Sequence, residues 1–266
     1  MRETTNYVYV IFGDGEMRWL EIFYSIGTLL KKIDPATARI VVFTDHPEKF
    51  QKMPVNCHDI SGEMAAMRGF ADFEYRMKIC CILKCAETFP GNVFYLDSDT
   101  IVTGNIVDKA AQLKKGRAIM WRRERLASRM AGFEKFEMQL PNGFIYRYGP
   151  DACMFNAGVV ALHHENAKAT LQTALALCDG FKRHDRSNRL CEQFANSEAM
   201  RISGLKILEA DKVVAHYYRA SFRTYMHERL PGFNARLKTE PWDFDRPIPC
   251  SYARVQWAKL RRKFPR

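Results

Sequence analysis

A chain of 266 residues, 47% of them hydrophobic, carries enough apolar material for one large α/β domain or two small ones, and a globular protein is the default. Lysine and arginine exceed aspartate and glutamate by 41 − 30, a formal net charge of +11, which favours an anionic partner: nucleic acid, a membrane surface or a phosphorylated small molecule. No apolar run approaches the roughly 20 residues that span a bilayer, and "MRETTNYVYV" lacks the apolar stretch of a signal peptide, so a cytoplasmic or peripheral protein with reduced cysteines is expected.

"YVYVIF" (residues 7–12) is a short β-rich run broken by "GDGE", and residues 17–33 place Leu20, Phe23, Leu30 and Ile33 near the helical period. "RIVVFTD" (39–45) is a second strand, whose near-continuous apolar run suits a parallel sheet buried on both faces. "FEYRMKICCILKCAETF" (73–89) predicts a helix stopped by Pro90 and Gly91. Within it Cys80, Cys81 and Cys85 read as small buried hydrophobes, and no C-x-x-C pair supports a zinc ribbon or a thioredoxin-type site. The strand "NVFYL" then runs straight into Asp97, Ser98 and Asp99. "RAIMW" (117–121) is a further strand, followed by a charged insertion over 122–150 in which no element can be assigned; such long segments are often functional loops. "CMFNAGVVALHH" (153–164) is a strand with Asn156-Ala157-Gly158 embedded in it, where a glycine marks a bulge or a close backbone approach. Helices are predicted over 168–183 and 189–200, and "LKILEA" and "VVAHYY" are two more short β-rich runs. With no repeats and no low-complexity linker, residues 1–240 form one domain and 241–266 a basic appendage.

In an open α/β sheet, ligands bind outside the carboxyl ends of the strands, which is where Asp97 and Asp99 lie. Residues two apart on an extended chain project to the same side, so both carboxylates can reach one centre while Ser98 points away. Hard oxygen ligands select magnesium or manganese, and two acids suffice if the substrate brings a diphosphate. A solvated turn would use the same residues, and a second D-x-D at Asp243 and Asp245 lies among prolines with no apolar strand before it.

Four pieces in order give the first copy its meaning. "VFYLDSD", "MFNAGVVAL", "CEQFANSE" and "AHYYR" resemble, in that order, the motifs of nucleotide-sugar glycosyltransferases of the GT-A fold, most closely glycosyltransferase family 8. The resemblance runs over roughly residues 7–218 and implies a Rossmann-like, mixed but mainly parallel sheet flanked by helices. It implies that Asp97 and Asp99 hold a metal ion with His216 as third ligand, manganese being favoured by the imidazole and magnesium remaining open. Asn156 resembles the family's sugar- or acceptor-contacting asparagine, against a bulge-stabilising amide. Glu192 and Gln193 resemble the pair beside the reacting carbon, against an exposed helix face. Phe12, Gly13 and Asp14 match the region that seats the nucleotide base and ribose, against a simple turn, and Ser98 is grouped with these nucleotide contacts.

A basic residue on the helix before the metal strand typically reaches the nucleotide sugar in that family; Arg76 and Lys78 are the candidates, and since residues two apart do not share a helix face, Lys78 is taken as the inward one. The family's H-Y-x-G-x-x-K-P-W phosphate segment is not reproduced in "HYYRASFRTY", where Arg219 or Arg223 would have to replace its lysine. The implied reaction is metal-dependent transfer of a hexose, with retention of configuration, from a nucleotide diphosphate sugar (UDP-linked favoured) to a carbohydrate or glycolipid acceptor.

The tail from Ser251 holds six basic residues, Arg254, Lys259, Arg261, Arg262, Lys263 and Arg266, and no acid, with Val255, Trp257, Leu260 and Phe264 interspersed. That pattern suits a peripheral contact with anionic membrane, or a solvated basic end. Two rivals stand beside the glycosyltransferase. A haloacid-dehalogenase-like phosphatase shares an aspartate pair after an apolar strand, but its motif wants Thr or Val where this chain has Ile101. A basic nucleic-acid-binding module explains the charge and leaves the aspartates, Asn156 and His216 without a task.

Overall fold

The computed structural model describes residues 4–34, 36–124, 132–232, 248, 250, 254–256 and 258. In chain order the elements are β1 (Thr5–Ile11), α1 (Glu16–Leu30), β2 (Ala38–Thr44), β3 (Asn56–Asp59), α2 (Met64–Arg68), α3 (Arg76–Thr88), β4 (Asn92–Leu96), β5 (Thr100–Val102) and α4 (Ile106–Ala110). They continue with β6 (Arg117–Glu124), β7 (Glu137–Gln139), β8 (Ile145–Arg147), β9 (Met154–Leu162), α5 (His164–His184), α6 (Cys191–Ile202), β10 (Lys206–Glu209), β11 (Val214–His216) and α7 (Ala220–His227).

Seven strands make one mixed sheet in the order β10-β6-β9-β4-β1-β2-β3. All neighbours are parallel except β9, which runs antiparallel to both β4 and β6. Side chains alternate between the two faces with the two-residue period of a strand. Val8, Val41, Phe43, Val93, Tyr95 and Val160 face one core with Met77, Ile82, Leu171, Phe181 and Phe194 of α3, α5 and α6. Tyr7, Tyr9, Val42, Phe94, Leu96 and Val159 face the other with Trp19, Ile22 and Ile26 of α1 and Ile106 of α4. Burial on both faces is why these strands read as apolar runs, and it gives the helix–sheet–helix sandwich of a Rossmann-like α/β fold.

The segment 122–150 contains elements the sequence alone did not reveal. β6 runs on past Trp121 to Glu124, with a register shift against β9 between Met120 and Arg122. β7 and β8 form a hairpin packed through Phe133, Phe136 and Tyr146 onto Phe181 of α5. All eight cysteines are free; Cys81 and Cys85 are buried and Cys80 half-buried. Of the basic tail, Val255 is 1% exposed and joins Leu20, Tyr24, Tyr217 and Tyr225 in a third apolar cluster, while Trp257, Lys259, Leu260, Arg261, Arg262, Lys263, Phe264 and Arg266 lie outside the described residues, as does the second D-x-D. Among the described residues no helix is long and apolar enough to cross a membrane.

Candidate metal centre and cleft

The chain leaves β4 at Leu96, turns through Asp97 and Ser98, and re-enters a strand at Thr100. β5 pairs antiparallel with β11, and the register sets His216 opposite Thr100, one residue from Asp99. Asp99 O accepts the backbone N–H of Tyr217 at 3.1 Å, and Asp97 N–H donates to Gly158 O of β9 at 2.9 Å. Three strands therefore converge on one corner, and each brings a polar side chain to it.

His216 is fixed from behind. The Asn156 amide has its orientation set by two contacts, Oδ1 accepting Gly158 N–H at 2.9 Å and Nδ2 donating to Glu124 Oε1 at 3.3 Å. Its oxygen thus faces His216 Nδ1 at 2.9 Å, so Nδ1 carries the proton. Nε2 faces the carboxylates, 3.0 Å from Asp99 Oδ1 and 3.6 Å from Asp97 Oδ2: protonated, it donates to Asp99, and once that proton leaves, its lone pair points where a cation would sit. One donor atom from each of the three residues lies within 4.8 Å of the others, so the triad could hold a metal ion. A cation can take the place of the Nε2 proton among these atoms, and an imidazole held by a second hydrogen bond at Nδ1 is the usual condition of a metal-bound histidine. Trp121 supports the ring edge-on at 5.3 Å and is itself tethered by its indole N–H to Val214 O at 2.8 Å. The embedded glycine also has its reason: a Cβ on Gly158 would sit 2.2 Å from His216 Nδ1.

Around the triad lies a cleft of about 430 Å³, lined among others by Phe12, Arg18, Tyr75, Lys78, Ser98, Asn156, Arg189, Glu192, Gln193, Tyr218 and Arg223. Lys78, buried, reaches Asp97 Oδ1 at 3.0 Å, Glu192 Oε1 at 3.6 Å and Ala157 O at 3.2 Å. Burial opposes its charge, but Asp97 and Glu192 outweigh that and hold its pKa above the usual lysine value. Burial likewise raises Glu192, to about 7, against the opposing pull of Lys78 and the hydrogen bond from Asn196. Asp99 is held at about 2: burial works against its charge, and His216 and Arg223 overcome it.

Each expected site residue has a definite place. Glu192 and Gln193, on the first turn of α6, are buried against the cleft and not on an exposed helix face. Gln193 Oε1 accepts Ala157 N–H at 3.4 Å. Phe12 and Ser98 line the cleft; Gly13, at φ +78°, binds the Asp45 carboxylate through its N–H at 3.0 Å, and Asp14 is solvent-exposed beside His46. Lys78 points in, whereas Arg76 points away from the cleft, bidentate to Asp179 at 2.6 and 3.0 Å and donating to Met67 O. Arg223 is bidentate to the fully buried Glu21 of α1 at 3.0 and 2.8 Å, with Nη1 3.8 Å from Asp99 Oδ2. Arg219, at the N-terminal end of α7, is exposed and stacks on Tyr218, outside the lining.

Glu124 was not anticipated. Its Oε1 accepts from Asn156 Nδ2 and from Tyr218 OH at 3.2 Å, and its Oε2 from Gln193 Nε2 at 3.1 Å, so it joins three elements at the cleft wall. The signal available in "RAIMWRRE" was the persistence of the strand beyond Trp121, hidden because Arg122 and Arg123 read as its solvated end. No family model and no curated protein matches the chain, and the geometry of this cleft is what its function must be inferred from.

Proposed function

We propose that the chain is a metal-dependent glycosyltransferase of the GT-A kind, moving a hexose from a nucleotide diphosphate sugar, most simply a UDP-sugar, to a saccharide or glycolipid acceptor. The observation that carries this reading is the convergence of His216 Nε2 with Asp97 and Asp99 at a strand's carboxyl end, inside a cleft that also holds Lys78 and Arg223. Two carboxylates and an imidazole leave several positions open for substrate oxygens, and they suit manganese, with magnesium as the alternative. The seven-stranded sheet with a single reversed strand supports the same fold assignment.

Asp97, Asp99 and His216 would hold the cation, which supplies Lewis-acid charge to the departing diphosphate. Lys78 and Arg223 add positive charge on the same side, where leaving-group charge builds up. Glu192 and Glu124 place carboxylates on the cleft wall, where they favour the cationic character that develops at the anomeric carbon. Asn156 and Gln193, both bonded to Glu124, orient the sugar between them. The bond from the anomeric carbon to the diphosphate oxygen breaks, a bond to the acceptor hydroxyl oxygen forms, and the hydroxyl proton passes to the departing diphosphate.

A thermal-shift screen of UDP- and GDP-sugars with and without manganese tests this, since a ligand that binds only the folded state raises its stability. A metal-dependent rise in Tm that disappears in Asp97→Ala/Asp99→Ala is expected. Absence of any metal-dependent rise, or phosphate release from simple phosphomonoesters without a sugar nucleotide, sinks the proposal.

A further inference from the structure

Where the end of α5 and the loop after it approach the cleft, arginines stand on aromatic rings. Arg189 lines the cleft, donates to Tyr75 OH at 3.3 Å and lies 5.8 Å over its ring. Farther out, Arg183 and Arg186 lie over Phe70 at 5.3 and 5.7 Å. Phe70 and Tyr75 are 49% and 41% exposed, a large apolar area to leave in water. Among the described residues none of Arg183, Arg186 and Arg189 pairs with a carboxylate, and Glu74 on the same wall does not engage them.

The loop that carries two of these arginines is built. Lys182, 4% exposed, donates to Arg186 O and to Asn188 O, and lies over the Phe73 ring at 4.3 Å. Asp185 Oδ1 accepts from Ser187 N–H and Oγ–H at 2.9 and 2.7 Å. A buried lysine spent on two backbone carbonyls fixes the turn that carries Arg186 and leads into Arg189.

Guanidinium groups laid on aromatic rings lose little further freedom when they bind, and their N–H edges match phosphate and carboxylate in bidentate fashion. Without acidic partners they are ready for an oxyanion from outside. We infer that this wall is the acceptor subsite and that the acceptor is an anionic saccharide, bearing phosphate or carboxylate groups that meet Arg183, Arg186 and Arg189 while its reacting hydroxyl enters the cleft. The inference rests on the glycosyltransferase reading for the word acceptor, and on the arginine wall alone for the anionic saccharide. Single-stranded nucleic acid, which stacks its bases on open aromatic faces, fits less well, because here guanidinium groups lie over the rings.

The test is binding of length-matched hexasaccharides to the full chain with manganese and UDP present: a neutral glucan, the same glucan carrying 6-phosphates, and an oligogalacturonate. The anionic probes are expected to bind at least about tenfold tighter than the neutral one, and the two separate phosphate from carboxylate preference. R183Q/R186Q is expected to lose at least about fivefold for the anionic probes with little change for the neutral one. K114Q/K115Q removes the same charge far from this wall and controls for the overall basicity. Equal binding of neutral and anionic probes overturns the inference. So does an equal loss in K114Q/K115Q, or tighter binding of an oligo-dT that displaces the saccharide. Metal-dependent stabilisation by a UDP-sugar is measured on the same samples: if it is absent while the anionic probes bind through the arginines, the transferase reading fails and the saccharide site stands; if it is present while the probes bind alike, the reverse holds.

Discussion

The two ends of α6 bury carboxylates of very different standing. Toward its C-terminus Glu198 is saturated: Oε2 accepts from Tyr146 OH and Arg201 Nη2, both at 2.8 Å, and Oε1 from Cys153 N–H at 3.0 Å and Arg201 Nε at 2.9 Å. It pins the β7–β8 hairpin and the entry to β9 onto the helix. Six residues earlier Glu192 has Asn196 at 2.8 Å and Lys78 at 3.6 Å, and it lines the cleft. Fully paired buried charge holds a fold in register; partly paired buried charge beside open space is held for something that arrives.

The sharpest way to break that contrast is Glu192→Gln. Sugar transfer should fall roughly 10²–10³-fold while the protein stays folded and keeps its manganese-dependent Tm rise; unchanged turnover would place Glu192 with Glu198 as scaffolding. The mirror experiment is Glu198→Ala, which strands Arg201, Tyr146 and Cys153 N–H and should cost about 3–5 kcal/mol in urea unfolding, with the metal-dependent shift retained. A loss below about 1 kcal/mol would show that its partners find others.

A third measurement uses pH. Burial raises Glu192 to about 7, so the folded chain holds that proton more tightly than the unfolded one. Its contribution is fully present below the unfolded carboxyl value of about 4.3 and is lost as pH rises through about 7, on the order of 3–4 kcal/mol in the metal-free protein. Glu192→Gln should remove that slope, and identical pH profiles for the two proteins would contradict the burial cost. The smallest effect is expected for Gly158→Ala, whose methyl would push the His216 ring off its perch; manganese affinity should drop about tenfold by calorimetry. Wild-type affinity in that variant would mean the ring has room the strand register denies it.

Much of this was legible in the chain. The strands buried on both faces announced themselves as apolar runs, and the acids that interrupt "VFYL" stand out because nothing in a core explains them. The helix-face argument separated Lys78 from Arg76, and burial agrees with it. Other features depend on register between distant strands. Glu124 looks like any charge in "RRER" until β9 sets it beside Asn156, and β5, β7, β8 and β11 are three residues long, too short for alternation to show. Glu21, a carboxylate on an apolar helix, gave no hint of its bidentate grip on Arg223, because its partner lies 202 residues away.

The separation of His216 from Asp99, 117 residues, has a topological meaning. Any cation shared by these side chains is a cross-link that closes a loop containing β6, β9, α5 and α6, and it fastens β11, with α7 just beyond it, to the turn after β4. A clasp of this size acts on the unfolded chain as much as on the folded one, since closing a long loop removes more freedom than closing a short one. Removing the ion should therefore loosen β11 and α7 first, and hydrogen exchange would register that as lost protection at Tyr217 N–H while the centre of the sheet stays closed.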